Sequence, residues 1–351
     1  MNWPKPRIEV EGMQAYSAPL EGRRKLIRLD FNENTIGPSP KVIEALKQIT
    51  SNNISIYPEY NGLKEALIKN LTLKKGCRKL SPQEIAIFNG VDSAINAIFH
   101  AYGDKEDIFL TTKPTFGYYA PCAQMRGMIT IDIPYEGNEF NFPTESILKE
   151  LNEKEPRLLM ICNPNNPTGT RLAADKIIEM SYKSPETLIV IDELYEGFTG
   201  DSVLPKIDFN CNSNVIVLRS LSKTAGLAGL RIGFAIGNRN VINSITRVIG
   251  PYDVNTFAVT AALAALKDQS YIDAYISEVK LAREWIKNKL TENKVRFHLS
   301  GGNYFLIWPN KKPSEVEKFL RNEGILIRDM SNKQLIENSL RVTIGTRKQM
   351  K

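Results

Sequence analysis

From Arg219 to Gly233 the chain reads Arg-Ser-Leu-Ser-Lys-Thr-Ala-Gly-Leu-Ala-Gly-Leu-Arg-Ile-Gly, placing a lysine, two serines and two arginines in one glycine-rich stretch. Lys223, once deprotonated, is an amine nucleophile toward an aldehyde. Ser220, Ser222 and Arg231 offer hydroxyl donors and a forked guanidinium, the groups that a phosphate takes. A lone lysine in a loop is ordinarily a solvated charge. In this company a chemical role is the stronger reading.

Three more segments put polar residues directly after apolar runs. Leu188–Ile191 leads into Asp192-Glu193-Leu194-Tyr195. A carboxylate ending such a run is costly to bury unless a cation meets it, and a protonated ring nitrogen is one such cation. Capping a helix is the other ordinary use of an aspartate there. Leu158–Cys162 leads into Asn163-Pro-Asn-Asn-Pro-Thr-Gly169, a rigid turn able to hold an amide side chain against a ligand. Ile85–Phe88 leads into Asn89-Gly90-Val91-Asp92-Ser93 and then a helix from about Ala94. The free N–H groups of a helix start suit a phosphate, although taken alone this is a plain turn.

The elements that must position these residues follow from the apolar pattern. Short apolar runs at 85–88, 108–110, 158–162, 188–191, 215–218 and 232–236 alternate with stretches of helical length. Buried strands alternating with helices predict an α/β fold, a mostly parallel sheet covered on both faces. Ligands of such sheets bind beyond the carboxyl ends of the strands, where the unusual residues fall. The last third predicts a smaller α+β unit: helices near 254–267 and 271–293, a strand at 304–308, a helix at 314–322, and strands at 325–328 and 340–344. Residues 1–38 read as an extended arm, followed by a helix with Ser39 as its cap and Pro40 as its first residue. The expected organisation is an arm (1–38), a large domain (39–264) and a small domain (265–351) that packs with the arm.

Composition narrows the chemistry. The net charge of +7 comes from scattered basic groups with acids between them, which argues against a nucleic-acid partner. Four cysteines form no CxxC pair, which points to reduced thiols and a cytoplasmic location. No apolar stretch reaches membrane-spanning length. With only two histidines, a His-rich metal site or a His-centred triad is not expected, so no metal is assigned.

Taken together, these residues resemble the histidinol-phosphate aminotransferase group of the class-II, fold-type I pyridoxal-5'-phosphate (PLP) aminotransferases. The matching segments are Leu29-Asp-Phe-Asn-Glu-Asn34, Gly37-Pro-Ser-Pro40, Tyr57-Pro58, Pro114-Thr-Phe116, Asn163–Gly169, Asp192–Tyr195, Ser220-Leu-Ser-Lys223, Gly226–Arg231 and Leu340-Arg-Val-Thr-Ile-Gly-Thr346. The resemblance implies that Lys223 holds the cofactor as a Schiff base and moves the substrate's α-proton. It implies that Asp192 meets the pyridinium nitrogen, that Asn166 and Tyr195 bond the ring oxygen, and that Phe116 stacks on the ring. The Val91 and Asp92 backbone, Ser220, Ser222 and Arg231 would hold the cofactor phosphate, with Tyr57 reaching it from the partner of a homodimer. Arg341, with Tyr16, Asn32 and Arg328 near it, would bind substrate.

Several positions depart from the resemblance. Val91-Asp92-Ser93 stands where Ser-Asp-Glu is usual, Thr35 replaces a proline, and Phe116 stands where tyrosine is common. The chain ends five residues after Thr346, where relatives continue into a helix. The expected activity is histidinol-phosphate:2-oxoglutarate transamination in histidine biosynthesis. The alternatives are another amino-acid aminotransferase, aromatic or aspartate, and an amino-acid phosphate decarboxylase of the cobamide pathway. A non-catalytic PLP sensor would carry an added DNA-binding module, for which the chain has no room.

Overall fold

The structure is a computed structural model and describes residues 3–14, 21–75, 77–78 and 80–351. The N-terminal segment forms one helical turn, Ile8–Glu11, and a two-residue strand, β1 (Ile27–Arg28). Seven strands then build the main sheet: β2 (Ile85–Phe88), β3 (Ile108–Lys113), β4 (Ile129–Pro134), β5 (Leu158–Cys162), β6 (Leu188–Asp192), β7 (Val215–Ser220) and β8 (Gly233–Gly237). Their spatial order is β2-β8-β7-β6-β5-β3-β4, and β8 alone runs antiparallel to its two neighbours. The α/β fold with a mostly parallel sheet is therefore as expected.

Strand alternation decides which face each side chain serves. Leu159 and Ile161 of β5, Ile189 and Ile191 of β6, and Val215 and Val217 of β7 pack into one hydrophobic cluster. Their neighbours Leu158, Met160, Leu188, Val190, Ile216 and Leu218 pack into another on the opposite face. Each fully buried aliphatic side chain contributes about 1.5–3 kcal/mol, so these central strands anchor the molecule. The helix Val91–Tyr102 covers the second face with Ala94, Ile95, Ile98 and Phe99.

The second sheet is antiparallel, ordered β12-β13-β10-β9, from β9 (Arg296–His298), β10 (Tyr304–Trp308), β12 (Arg328–Asp329) and β13 (Leu340–Thr343). The long helix Gln269–Glu292 packs on it through Tyr275, Val279 and Ala282. The predicted strand at 325–328 divides in two: β11 (Ile325–Leu326) leaves this sheet to pair in parallel with β1. The N-terminal arm is therefore not simply extended; it is stitched to the last third of the chain. Strands β4 and β9 have no counterpart in the sequence reading. Both lie at sheet edges with exposed residues, so neither forms a continuous apolar run. Among the described residues, no helix is long and apolar enough to cross a membrane.

Candidate active site

Strands β5, β6 and β7 end side by side, with Cys162 opposite Asp192 and Asp192 opposite Leu218. Asp192 continues the alternation of Leu188 and Val190, so it points to the face covered by the helix Val91–Tyr102. It is 1% exposed. Its Oδ2 accepts a 2.7 Å hydrogen bond from the Tyr119 hydroxyl, and its Oδ1 accepts the Leu194 N–H at 3.2 Å. Among the described residues no lysine or arginine forms an ion pair with it. Burial pushes its carboxyl up to about 6, against the pull of those two donors.

Lys223 lies in the loop after β7 and donates from Nζ to the Phe31 carbonyl at 2.8 Å. It keeps some accessible surface, yet dense protein surrounds it. Burial first, and the nearby Arg341 charge second, lower its ammonium to about 8. A substantial neutral fraction is thus available near physiological pH, as an amine nucleophile or base requires.

Beside Lys223 the chain forms an anion cradle. Gly90, at φ 80°, caps the helix that begins at Val91. A Cβ on Gly90 would stand 2.6 Å from Arg231 Nη2, and one on Gly233 would stand 2.7 Å from the Val91 nitrogen. Only glycine at both places lets the strand, the helix start and the arginine crowd together. Arg231 itself adopts a left-handed φ of 54°, a strain that single residues hold mainly where surroundings impose it. Its Nη2 donates to the Asp92 carboxylate at 2.9 Å. Ser220 and Ser222 bring their hydroxyl oxygens within 2.8 Å of each other. Asp253 ties down the start of the Val91 helix, accepting from both the Asn89 N–H (2.8 Å) and the Ser93 hydroxyl (3.0 Å).

A third group joins the two sheets. The Tyr195 hydroxyl receives Asn166 Nδ2 at 3.3 Å and Asn32 Nδ2 at 3.2 Å. Arg341, on β13, donates to Asn166 Oδ1 and to the Asp30 carbonyl, both at 2.6 Å. Arg328 is the cross-strand partner of Arg341, and its guanidinium stands 5.7 Å over the Phe31 ring. Arg23 lies 4.1 Å from the same ring, but Asp30 and Glu33 neutralise it. Two cations opposed in one ladder are unfavourable by themselves, and such a pair is expected where an anion is bound.

The remaining expected residues are distributed differently. Phe116 is half-buried and meets Tyr119 edge to face, with centroids 5.5 Å apart. Tyr57 is 71% exposed and stacks on Tyr252 at 3.9 Å; among the described residues no hydrogen bond joins it to this cluster. Tyr16 lies outside the described residues. Sequence reasoning missed Tyr119, Phe31 and Tyr304. Tyr304, on β10, packs edge-on against Tyr195 at 5.0 Å. Their only signal was aromatic identity, which reads equally well as core.

The donor set fits PLP. A buried carboxylate without a cation suits a ring nitrogen, a depressed lysine suits an aldehyde, and the glycine-lined helix start with Ser220, Ser222 and Arg231 suits a phosphate.

Comparisons with known proteins agree. The chain is 36% identical over 330 residues to a dihydroxyacetone phosphate transaminase of Campylobacter jejuni, covering 93% of this chain and 87% of the relative. It is 30% identical over 342 residues to a histidinol-phosphate aminotransferase of Thermoanaerobacter pseudethanolicus, covering 97% and 94%. Its fold matches the crystal structure of a histidinol-phosphate aminotransferase from Sinorhizobium meliloti in complex with pyridoxal-5'-phosphate. That match has a TM-score of 0.87 at 24% identity and covers 99% of this chain and 95% of the other. With residues 24–351 matching aminotransferase class I and II, the chain belongs to that family of PLP-dependent transferases.

Proposed function

We propose that the chain transaminates histidinol phosphate against 2-oxoglutarate, with Lys223 as the residue that carries the cofactor and the proton. The observation that carries this reading is the guanidinium pair of Arg328 and Arg341 beside Asn166, Tyr195 and Lys223. When bound, PLP supplies an electron sink that stabilises negative charge at the substrate α-carbon. Lys223 takes the α-proton through its neutral Nζ and returns it on the other side of the exchange. Asp192 holds a proton on the ring nitrogen, while Asn166 and Tyr195 donate to the ring oxygen. Phe116 covers one ring face. The Val91 and Asp92 backbone, Ser220, Ser222 and Arg231 bind the cofactor phosphate. Arg341 and Arg328 hold the anionic end of the substrate, with Asn32 and Tyr16 near it.

The same reading, through the family resemblance, carries a cytosolic homodimer in which Tyr57, exposed and without a hydrogen bond to the site of its own chain among the described residues, completes the neighbouring site. It assigns the cofactor to a large domain of residues 39–264, with a small domain of 265–351 that packs with the arm.

A second reading has a specific observation behind it. The Campylobacter relative is named for dihydroxyacetone phosphate, and both candidate substrates end in a phosphate ester that paired arginines would bind. Purified protein with PLP should form glutamate from histidinol phosphate and 2-oxoglutarate. Consumption of glutamate with dihydroxyacetone phosphate, and none of histidinol phosphate, would select the second reading. Release of carbon dioxide without amino transfer would reject both.

A further inference from the structure

We propose that Tyr119 is a positioning residue for the cofactor ring, fixing the Asp192 carboxylate with its hydroxyl and the Phe116 ring through an edge-to-face contact. This rests on the reading of Asp192 as the partner of the ring nitrogen. Tyr119 is fully buried at the start of the helix Tyr119–Arg126. Its hydroxyl holds Asp192 Oδ2 at 2.7 Å while the Leu194 N–H holds Oδ1, so each carboxylate oxygen has its own donor and the plane is set. Its ring meets Phe116 at 79°, the favoured edge-to-face contact. One side chain therefore steadies both the group at the rim of the cofactor ring and the group on its face.

The choice of donor matters. A lysine or arginine at this place would neutralise Asp192 and remove its hold on a protonated nitrogen. A phenol fixes the geometry and leaves the negative charge available. Burial drives the Tyr119 hydroxyl well above its usual range, so it stays protonated and can only donate to the carboxylate.

Other groups face Asp192. Cys162 on β5 remains a neutral thiol, held far above its ordinary range by burial. Asp92, from the helix start, pushes the Asp192 carboxyl up, and Lys223 pulls it down. Tyr195 is kept neutral by burial. Against this background the Tyr119 hydroxyl favours the charged form. Protonating Asp192 removes the charge that the ring nitrogen needs, so cofactor affinity should fall as the pH drops through about 6.

The test is cofactor affinity from pH 5.5 to 8.5, read from the visible band of bound PLP. The proteins are the wild type, Tyr119→Phe, Asp192→Asn and the double variant. Tyr119→Phe deletes one oxygen atom, and the melting midpoint of the cofactor-free protein checks that it folds. The cofactor phosphate and Lys223 titrate in all four proteins, so differences between the profiles isolate Asp192.

Removing the hydroxyl should move the acid limb up by about one pH unit, the tenfold change in proton affinity expected for one lost hydrogen bond to a charge. Affinity at pH 8.5 should change little. Asp192→Asn should remove the Asp192 limb and leave only the dependence that Lys223 and the cofactor phosphate give all four proteins, and the double variant should match it. A Tyr119→Phe limb identical to the wild type, with Asp192→Asn still abolishing it, overturns the role of Tyr119 and leaves that of Asp192 intact. An Asp192→Asn protein that keeps both limb and affinity overturns the reading of Asp192, and the inference with it.

Discussion

Asp192 and Glu193 are adjacent carboxylates at the end of one strand, both buried, and they meet opposite surroundings. Asp192 faces a phenol, a thiol and a backbone N–H, with no ion-pairing cation among the described residues. Glu193 faces the other way, where Arg219 reaches its Oε2 at 2.9 Å and also binds Glu196. Ser202 and the Val203 N–H complete that second group. The same alternation separates Arg219 from Ser220 on β7: one turns to the ion network, the other to the anion cradle. A buried charge that is hydrogen-bonded but met by no opposite charge marks where a ligand's charge belongs, whereas a buried charge already answered by a cation marks architecture.

That contrast can be broken in several places. Lys223→Ala should cut turnover by at least about 10³–10⁴-fold, since the amine that holds the cofactor and the base that moves the proton go together. In the wild type, the rate of cofactor capture should rise with pH through about 8, because burial has lowered the ammonium and the neutral amine is the attacking form. Asp192→Asn, nearly isosteric, should lower turnover by about 10²–10³-fold with little change in melting temperature.

Arg219→Met should show the reverse pattern. Leaving Glu193 and Glu196 buried without their cation should cost about 3–5 kcal/mol in denaturant unfolding, while turnover per folded molecule falls far less. Equal activity losses in Asp192→Asn and Arg219→Met would erase the distinction. The smallest effect is expected for Arg328→Gln: a rise of about tenfold in KM for the phosphate-bearing substrate, with kcat nearly kept. A kcat loss with unchanged KM would place Arg328 elsewhere in the chemistry.

The sequence was informative where chemistry and strand ends coincide. Asn166, Asp192, Ser220, Ser222 and Lys223 come after apolar runs at the ends of β5, β6 and β7, and Arg231 closes the same glycine-rich loop just before β8, beside Asp92 and Gly90. Asn32 and Arg341 were reachable only through family resemblance, because they come from distant ends of the chain and meet through Tyr195 and Asn166. The structural role of Arg219 was hidden. Lying one residue from Ser220, it shares the loop's polar character, and only strand alternation sends it to the opposite face. Tyr119 was equally hidden, since a tyrosine opening a helix resembles ordinary core until its hydroxyl is seen to meet a carboxylate. The edge strands β4 and β9 escaped because edge strands lack the apolar continuity that reveals buried ones.

The most direct test of the central claim is the visible absorption spectrum of the purified protein with PLP, recorded beside Lys223→Ala. The wild type should develop the band of a lysine-bound cofactor, lose it on addition of histidinol phosphate and regain it with 2-oxoglutarate. Lys223→Ala should show only free cofactor. A wild-type spectrum without the band, or the same band in Lys223→Ala, would contradict the account.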